Sequence, residues 1–149
     1  MHALFLLIAE NNPMQFFFVD DDTDDQEIFG MAISEVRPGI TCVFANDGIE
    51  ALEKLEDPAF MPAGIFIDLN MPRMNGSECL IAIRKITRLA VVPVFMYSTS
   101  SDPRLMKTCM ELGAADFIVK PPGLKALIQR LEQLILDNDL YGGDSKKDG

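Results

Sequence analysis

Short apolar runs alternate with longer amphipathic stretches along this chain, and the alternation predicts five strand-then-helix repeats. Gln15 to Asp20 carries Phe16-Phe17-Phe18-Val19 without a polar interruption, the pattern of a strand buried on both faces. Asp22, Thr23 and Asp24 supply a cap and first-turn acids for a helix through Val36, closed by Arg37-Pro38-Gly39. A second strand, Ile40 to Ala45, turns at Asn46-Asp47-Gly48 into a helix from Ile49 to Glu56, and Pro58 prevents its continuation. Gly64 to Leu69 is the third strand, followed by a turn-rich loop and a helix from Ser77 to about Arg88. Val92 to Tyr97 is the fourth, and Ser100-Ser101-Asp102-Pro103 opens a helix that stops at Gly113. Phe117 to Val119 is the fifth, and Lys120-Pro121-Pro122-Gly123 leads into an amphipathic helix from Leu124 to about Asp137.

Such alternation predicts a doubly wound α/β fold, because right-handed crossovers lay helices on both faces of a parallel sheet. For five strands the common order is 2-1-3-4-5, with its switch point between strands one and three. Asp20, Asp21 and Asp68 would converge there. Ser98 and Lys120 follow the fourth and fifth apolar runs and emerge at the same carboxyl edge.

The 149 residues, 48% of them hydrophobic, suffice for one core and are too few for a second full domain. A net charge of −10 would repel a nucleic-acid backbone, so direct nucleic-acid binding is excluded as an expectation. Cys42, Cys79 and Cys109 are odd in number, lack CxxC spacing and lie in apolar segments, which fits buried thiols in a reducing cytosol. The apolar run Ala3 to Ala9 is far shorter than the ~20 residues that span a bilayer, and it has no basic flank or cleavage site of a signal peptide. Asn11-Asn12-Pro13 then breaks the pattern, and Met14 is itself a candidate start. Residues 1–14 are therefore assigned as an N-terminal extension without a function, loosely ordered rather than dimerising, residues 15–138 as the domain, and residues 139–149 as a polar tail.

Three carboxylates brought within a few ångströms repel one another unless a cation neutralises them. Mg²⁺, which takes oxygen ligands and keeps several waters, suits Asp21, Asp68 and the main-chain carbonyl of Asn70, with Asp20 acting through water. A strand-end Asp can also attack phosphorus to give an acyl phosphate. The metal, the Lys120 ammonium and the Ser98 hydroxyl would then each face one oxygen of the transferring group.

With these motifs the chain resembles the receiver domain of bacterial two-component response regulators, of single-domain type, over about residues 15–138. The Asp-x-Asn-Met-Pro-x-Met-Asn-Gly run from Asp68 to Gly76 is close to that family's most recognisable stretch. The resemblance implies a flavodoxin-like fold, Mg²⁺ on Asp20 and Asp21, phosphorylation of Asp68, a hydroxyl switch at Ser98 and an aromatic switch at Phe117. It also implies a neutralising Lys120, whose bond to Pro121 is commonly cis. Two departures stand out: Thr99 occupies a position where Ala or Gly is usual, narrowing access to the aspartate, and Phe117 replaces the frequent tyrosine.

The resemblance further implies a cytoplasmic phosphoacceptor, fed by a histidine kinase or histidine phosphotransfer protein. It would modify itself rather than turn over substrate. With no output domain after residue 138, it would signal by contact with a further protein, around Leu105, Met106, Cys109 and Met110, although core packing is the plainer duty of that face. Two alternatives share some features. A haloacid-dehalogenase-type phosphatase would place its nucleophile near Asp20 and require a late acidic pair, and none follows Lys120 at a strand end. A receiver-like adaptor would bind its partner without phosphorylation.

Overall fold

Phe16, Phe17, Phe18 and Val19 are all fully buried because strand β1 (Gln15–Val19) is an interior strand of a sheet covered on both faces. The computed structural model describes residues 14–140. Around β1 run β2 (Thr41–Ala45), β3 (Gly64–Asp68), β4 (Val94–Ser98) and β5 (Asp116–Val119), all parallel, in the order β2-β1-β3-β4-β5. Helices α1 (Thr23–Val36), α2 (Gly48–Leu55), α3 (Gly76–Arg84) and α4 (Pro103–Glu111) make the crossovers, and α5 (Leu124–Asp137) follows β5. The expected doubly wound α/β class and strand order are present.

Alternate strand positions feed two cores. Phe16, Phe18, Phe66, Phe95 and Tyr97 pack with Phe29 and Ile33 of α1 and with Leu127, Leu131 and Leu134 of α5. Phe17, Val19, Ile65, Ile67, Met96 and Phe117 pack with the helices of the other face, through residues such as Ala51, Leu80 and Cys109. The first core is mainly aromatic: the Phe18 and Phe29 rings stack at 4.1 Å, and Phe66 bridges Phe29 and Phe95 at 4.8 and 4.9 Å. Leu140, within the stretch read as polar tail, is buried in this layer, and its N–H donates to the Ile135 carbonyl.

Two element ends, the end of α3 and the start of β4, differ from expectation by two residues or more. Helix α3 stops at Arg84 rather than Arg88: the Arg84 guanidinium donates to the carbonyls of Leu89 and Val92, Ile86 is extended, and a short 3₁₀ turn, Thr87–Leu89, follows. That turn also holds the Val92 N–H on the Leu89 carbonyl, so β4 begins at Val94 and runs on to include Ser98. No described helix is long and apolar enough to cross a membrane. The reading of residues 1–13, and of the tail beyond Leu140, lies outside the described residues.

Candidate functional site

Parallel register brings the strand ends into one row. Val19 pairs with Ala45 and Ile67, Asp68 pairs with Tyr97, and Ser98 with Val119, so Asp20, Asp68, Ser98 and Lys120 leave the sheet side by side. Backbone bonds hold this edge: the Asp20 N–H donates to the Ala45 carbonyl at 3.0 Å and the Lys120 N–H to the Ser98 carbonyl at 2.7 Å. Gln26 of α1 donates from one amide nitrogen to the Asp20 carbonyl and to Asn46 Oδ1, joining the ends of β1 and β2.

Asp20, Asp21 and Asp68 each place a carboxylate oxygen within 4.8 Å of the others. Asp20 and Asp68 are buried, whereas Asp21 is exposed. Asp20 Oδ1 accepts the Asp22 N–H at 2.9 Å, but Asp20 Oδ2 is buried and accepts no hydrogen bond. Burial pushes the Asp20 carboxyl up to about 7, with the Asp22 N–H opposing and the charge of Asp68 reinforcing the shift. Burial also raises Asp68, against the pull of Lys120 and of the Asn70 backbone N–H. An oxygen-only donor set with one buried oxygen left over fits a hard divalent cation such as Mg²⁺.

Among the described residues one cation faces these acids. Lys120 Nζ lies 2.8 Å from Asp25 Oδ2, 3.3 Å from Asp68 Oδ1 and 3.5 Å from Asp20 Oδ2. It also sits over the Tyr97 ring, 5.2 Å from the centroid. Burial works to lower the pKa of this ammonium, but the hydrogen bond to Asp25 and the charges of Asp20 and Asp68 outweigh it and leave lysine above its ordinary value. Burial pushes the Tyr97 phenol up to about 12.

Ser98 is buried, and its Oγ accepts the Ser100 N–H at 3.1 Å. Thr99 is exposed. Phe117 is packed inside the core beside Met96 and Cys109, so its ring is buried in this conformation. On the neighbouring face Cys109 is buried, Leu105 and Met106 are half-buried against the core, and Met110 is exposed. Every described peptide bond is trans, Lys120–Pro121 included, which corrects the cis form expected there.

The loop after β3 is held from both sides. Asn75 caps α3 by accepting the Glu78 N–H, and the Glu78 carboxylate accepts the Asn75 N–H in return. Arg73, at φ 67°, pairs its guanidinium with Asp47, whose other oxygen accepts the Glu50 N–H at the start of α2. The Glu50 N–H and then Arg73 hold the Asp47 carboxyl below its usual range.

Sequence reasoning missed Asp25, Gln26, Arg73 and Tyr97 as parts of this edge. Asp25 carried a signal: three residues past the Asp22 cap, it falls in the first turn of a helix that starts at the sheet's carboxyl edge.

The family model described as "Response regulator receiver domain" matches residues 16–132. The chain is similar to chemotaxis protein CheY1 of Helicobacter pylori, 32% identical over 85% of this chain and 100% of that protein. It is 41% identical to a protein-glutamate methylesterase/protein-glutamine glutaminase of Rhodospirillum rubrum, over 70% of this chain but only 28% of that enzyme. Among solved structures, a chain of the CheX-CheY-BeF3-Mg+2 complex from Borrelia burgdorferi superimposes with a TM-score of 0.71 at 27% identity, covering 83% of this chain and 90% of that one.

Proposed function

Because this chain belongs to the response regulator receiver family, we propose that it accepts a phosphoryl group on Asp68 from a histidine kinase or histidine phosphotransfer protein, with Mg²⁺, and signals by protein contact. The observation that carries this reading is the meeting of Asp68 with the Lys120 ammonium at 3.3 Å beside Asp20 and Asp21. Asp20, Asp21, Asp68 and the Asn70 main-chain carbonyl would hold the metal, which when bound supplies charge neutralisation for the transferring phosphoryl group.

The chain's own residues divide the remaining work. An Asp68 oxygen forms the new O–P bond as the P–N bond of the donor phosphohistidine breaks, its electron pair staying on the imidazole nitrogen. Lys120, anchored through its N–H to Ser98, pairs with one equatorial oxygen. Ser98 Oγ already accepts the Ser100 N–H, so its own hydrogen is what it offers a second oxygen. When Ser98 closes on the phosphoryl group, Phe117 repacks behind it and reshapes the surface of α4, β5 and α5. Because the ring is already buried, this switch is a change of packing rather than the burial of an exposed side chain.

The domain, residues 15–138, acts in this reading as a self-modifying signalling unit rather than a turnover enzyme. The free thiols Cys42, Cys79 and Cys109 suit a cytoplasmic setting.

The test is incubation with Mg²⁺ and acetyl phosphate, read by intact mass, and with Mg²⁺ and beryllofluoride, read by amide NMR. Wild type should gain one phosphoryl group and shift resonances around Asp68, and Asp68→Asn should do neither. Unchanged mass and spectra in wild type would overturn the reading.

A further inference from the structure

Lys120 is nearest not to the aspartate it is expected to serve but to Asp25. The Asp25 contact is 2.8 Å, against 3.3 Å to Asp68 and 3.5 Å to Asp20. Asp25 stands in the first turn of α1, whose N-cap Asp22 fixes that turn against the end of β1. The pair is semi-buried, with 17% of the Lys120 and 28% of the Asp25 side chain exposed, so water screens it only in part.

We propose that Asp25 is a positioning residue that holds Lys120 on the α1 side of the site and so weakens its hold on an anion at Asp68. This rests on the phosphoacceptor reading of Asp68. Charge supports the sign of the effect. Formally, Asp20, Asp21, Asp25 and Asp68 outnumber Lys120 by three negative charges, and a divalent ion would still leave one in excess as a phosphoryl group arrives. Neutralising Asp25 removes that excess and releases the ammonium toward Asp68 without touching either reacting atom. Asp25 is not among the three grouped carboxylates, so its effect is separable from metal ligation.

The same contact ties the chemistry to α1. Each time Lys120 turns to a phosphoryl oxygen, the first turn of α1 loses a partner that stands 95 residues away in the chain.

The experiment compares wild type, Asp25→Asn and Asp25→Glu, titrated with beryllofluoride at saturating Mg²⁺ and followed by amide NMR. Lys120 Nζ resonances are recorded on the metal-free proteins. Asp25→Asn should bind beryllofluoride about fivefold more tightly, as expected for loss of a charge pair of this exposure, and should shift the Lys120 Nζ signal. Asp25→Glu should return toward wild type. An Asp25→Asn protein whose affinity is unchanged or weaker, beside a responsive wild type, overturns this inference alone. A wild type that binds no beryllofluoride and is not modified at Asp68 overturns the phosphoacceptor reading and this inference with it.

Discussion

Gly76 packs so tightly on the backbone of Asp68 that a β-carbon at position 76 would lie 2.5 Å from the Asp68 carbonyl oxygen and 2.7 Å from Leu69 Cα. The Gly76 N–H also donates to the Leu69 carbonyl. Helix α3 can therefore begin directly beside Asp68 only because this position has no side chain. Gly76→Ala should cost about 1–3 kcal/mol and displace the end of β3. A lower urea midpoint together with slower labelling by acetyl phosphate is the expected result, and a variant with both unchanged would show that the backbone yields freely there.

Removing Lys120, the one close cation among the described residues, should be costly without metal. Lys120→Ala leaves Asp20 and Asp68 buried with no positive partner among the described residues, a loss of about 1–3 kcal/mol in EDTA. Mg²⁺ should then stabilise the variant more than it stabilises wild type. Urea unfolding with and without Mg²⁺ measures both, and identical metal increments in the two proteins would contradict the shared charge balance.

The raised Asp20 carboxyl has a defined consequence for the metal-free protein. The folded chain keeps this proton up to about 7, while the unfolded chain releases it near 3.8, so the folded state binds more protons across that interval. Its contribution to stability therefore falls as pH rises from about 4 to 7 and is level above. Asp68, raised in the same direction, adds to the slope. Thermal unfolding in EDTA across this range should show the decline, and Asp20→Asn should flatten it.

Arg73 combines a left-handed backbone with an ion pair, and two substitutions separate them. Arg73→Ala loses the contact with Asp47 and keeps the φ of 67° unfavourable for a side chain. Arg73→Gly loses the same contact but relieves the backbone. The glycine variant should be about 1 kcal/mol more stable than the alanine one, and denaturant midpoints that rank them in reverse would remove the argument for backbone strain.

The row of strand ends was legible because each apolar run is short and terminates in a distinctive polar residue: Asp20 and Asp68 directly follow the buried Val19 and Ile67, and Lys120 follows Val119, the exposed end of a run whose Phe117 and Ile118 are buried. The strand order came from the commonest arrangement of five alternating strands and helices, which this chain adopts. What could not be read was set by contacts distant in sequence. Nothing around Arg84 announces that its guanidinium will gather the carbonyls of Leu89 and Val92 and end α3 early. Asp25 looked like one acid among several at a helix start, and only the fold sets it against Lys120. Arg73 gave no warning of a positive φ, since glycine or asparagine is the usual marker.

The ring of Tyr97 beneath the Lys120 ammonium makes the site visible to light. The chain contains no tryptophan and two tyrosines, Tyr97 and Tyr141. Tyr97 is 5.2 Å from the site's cation and in edge contact with Phe18 at 5.5 Å. With Tyr141→Phe, ultraviolet emission would come from this one phenol, whose quantum yield responds to the charge above its face. Metal arrival, phosphorylation and any swing of Lys120 could then be followed in real time without a dye.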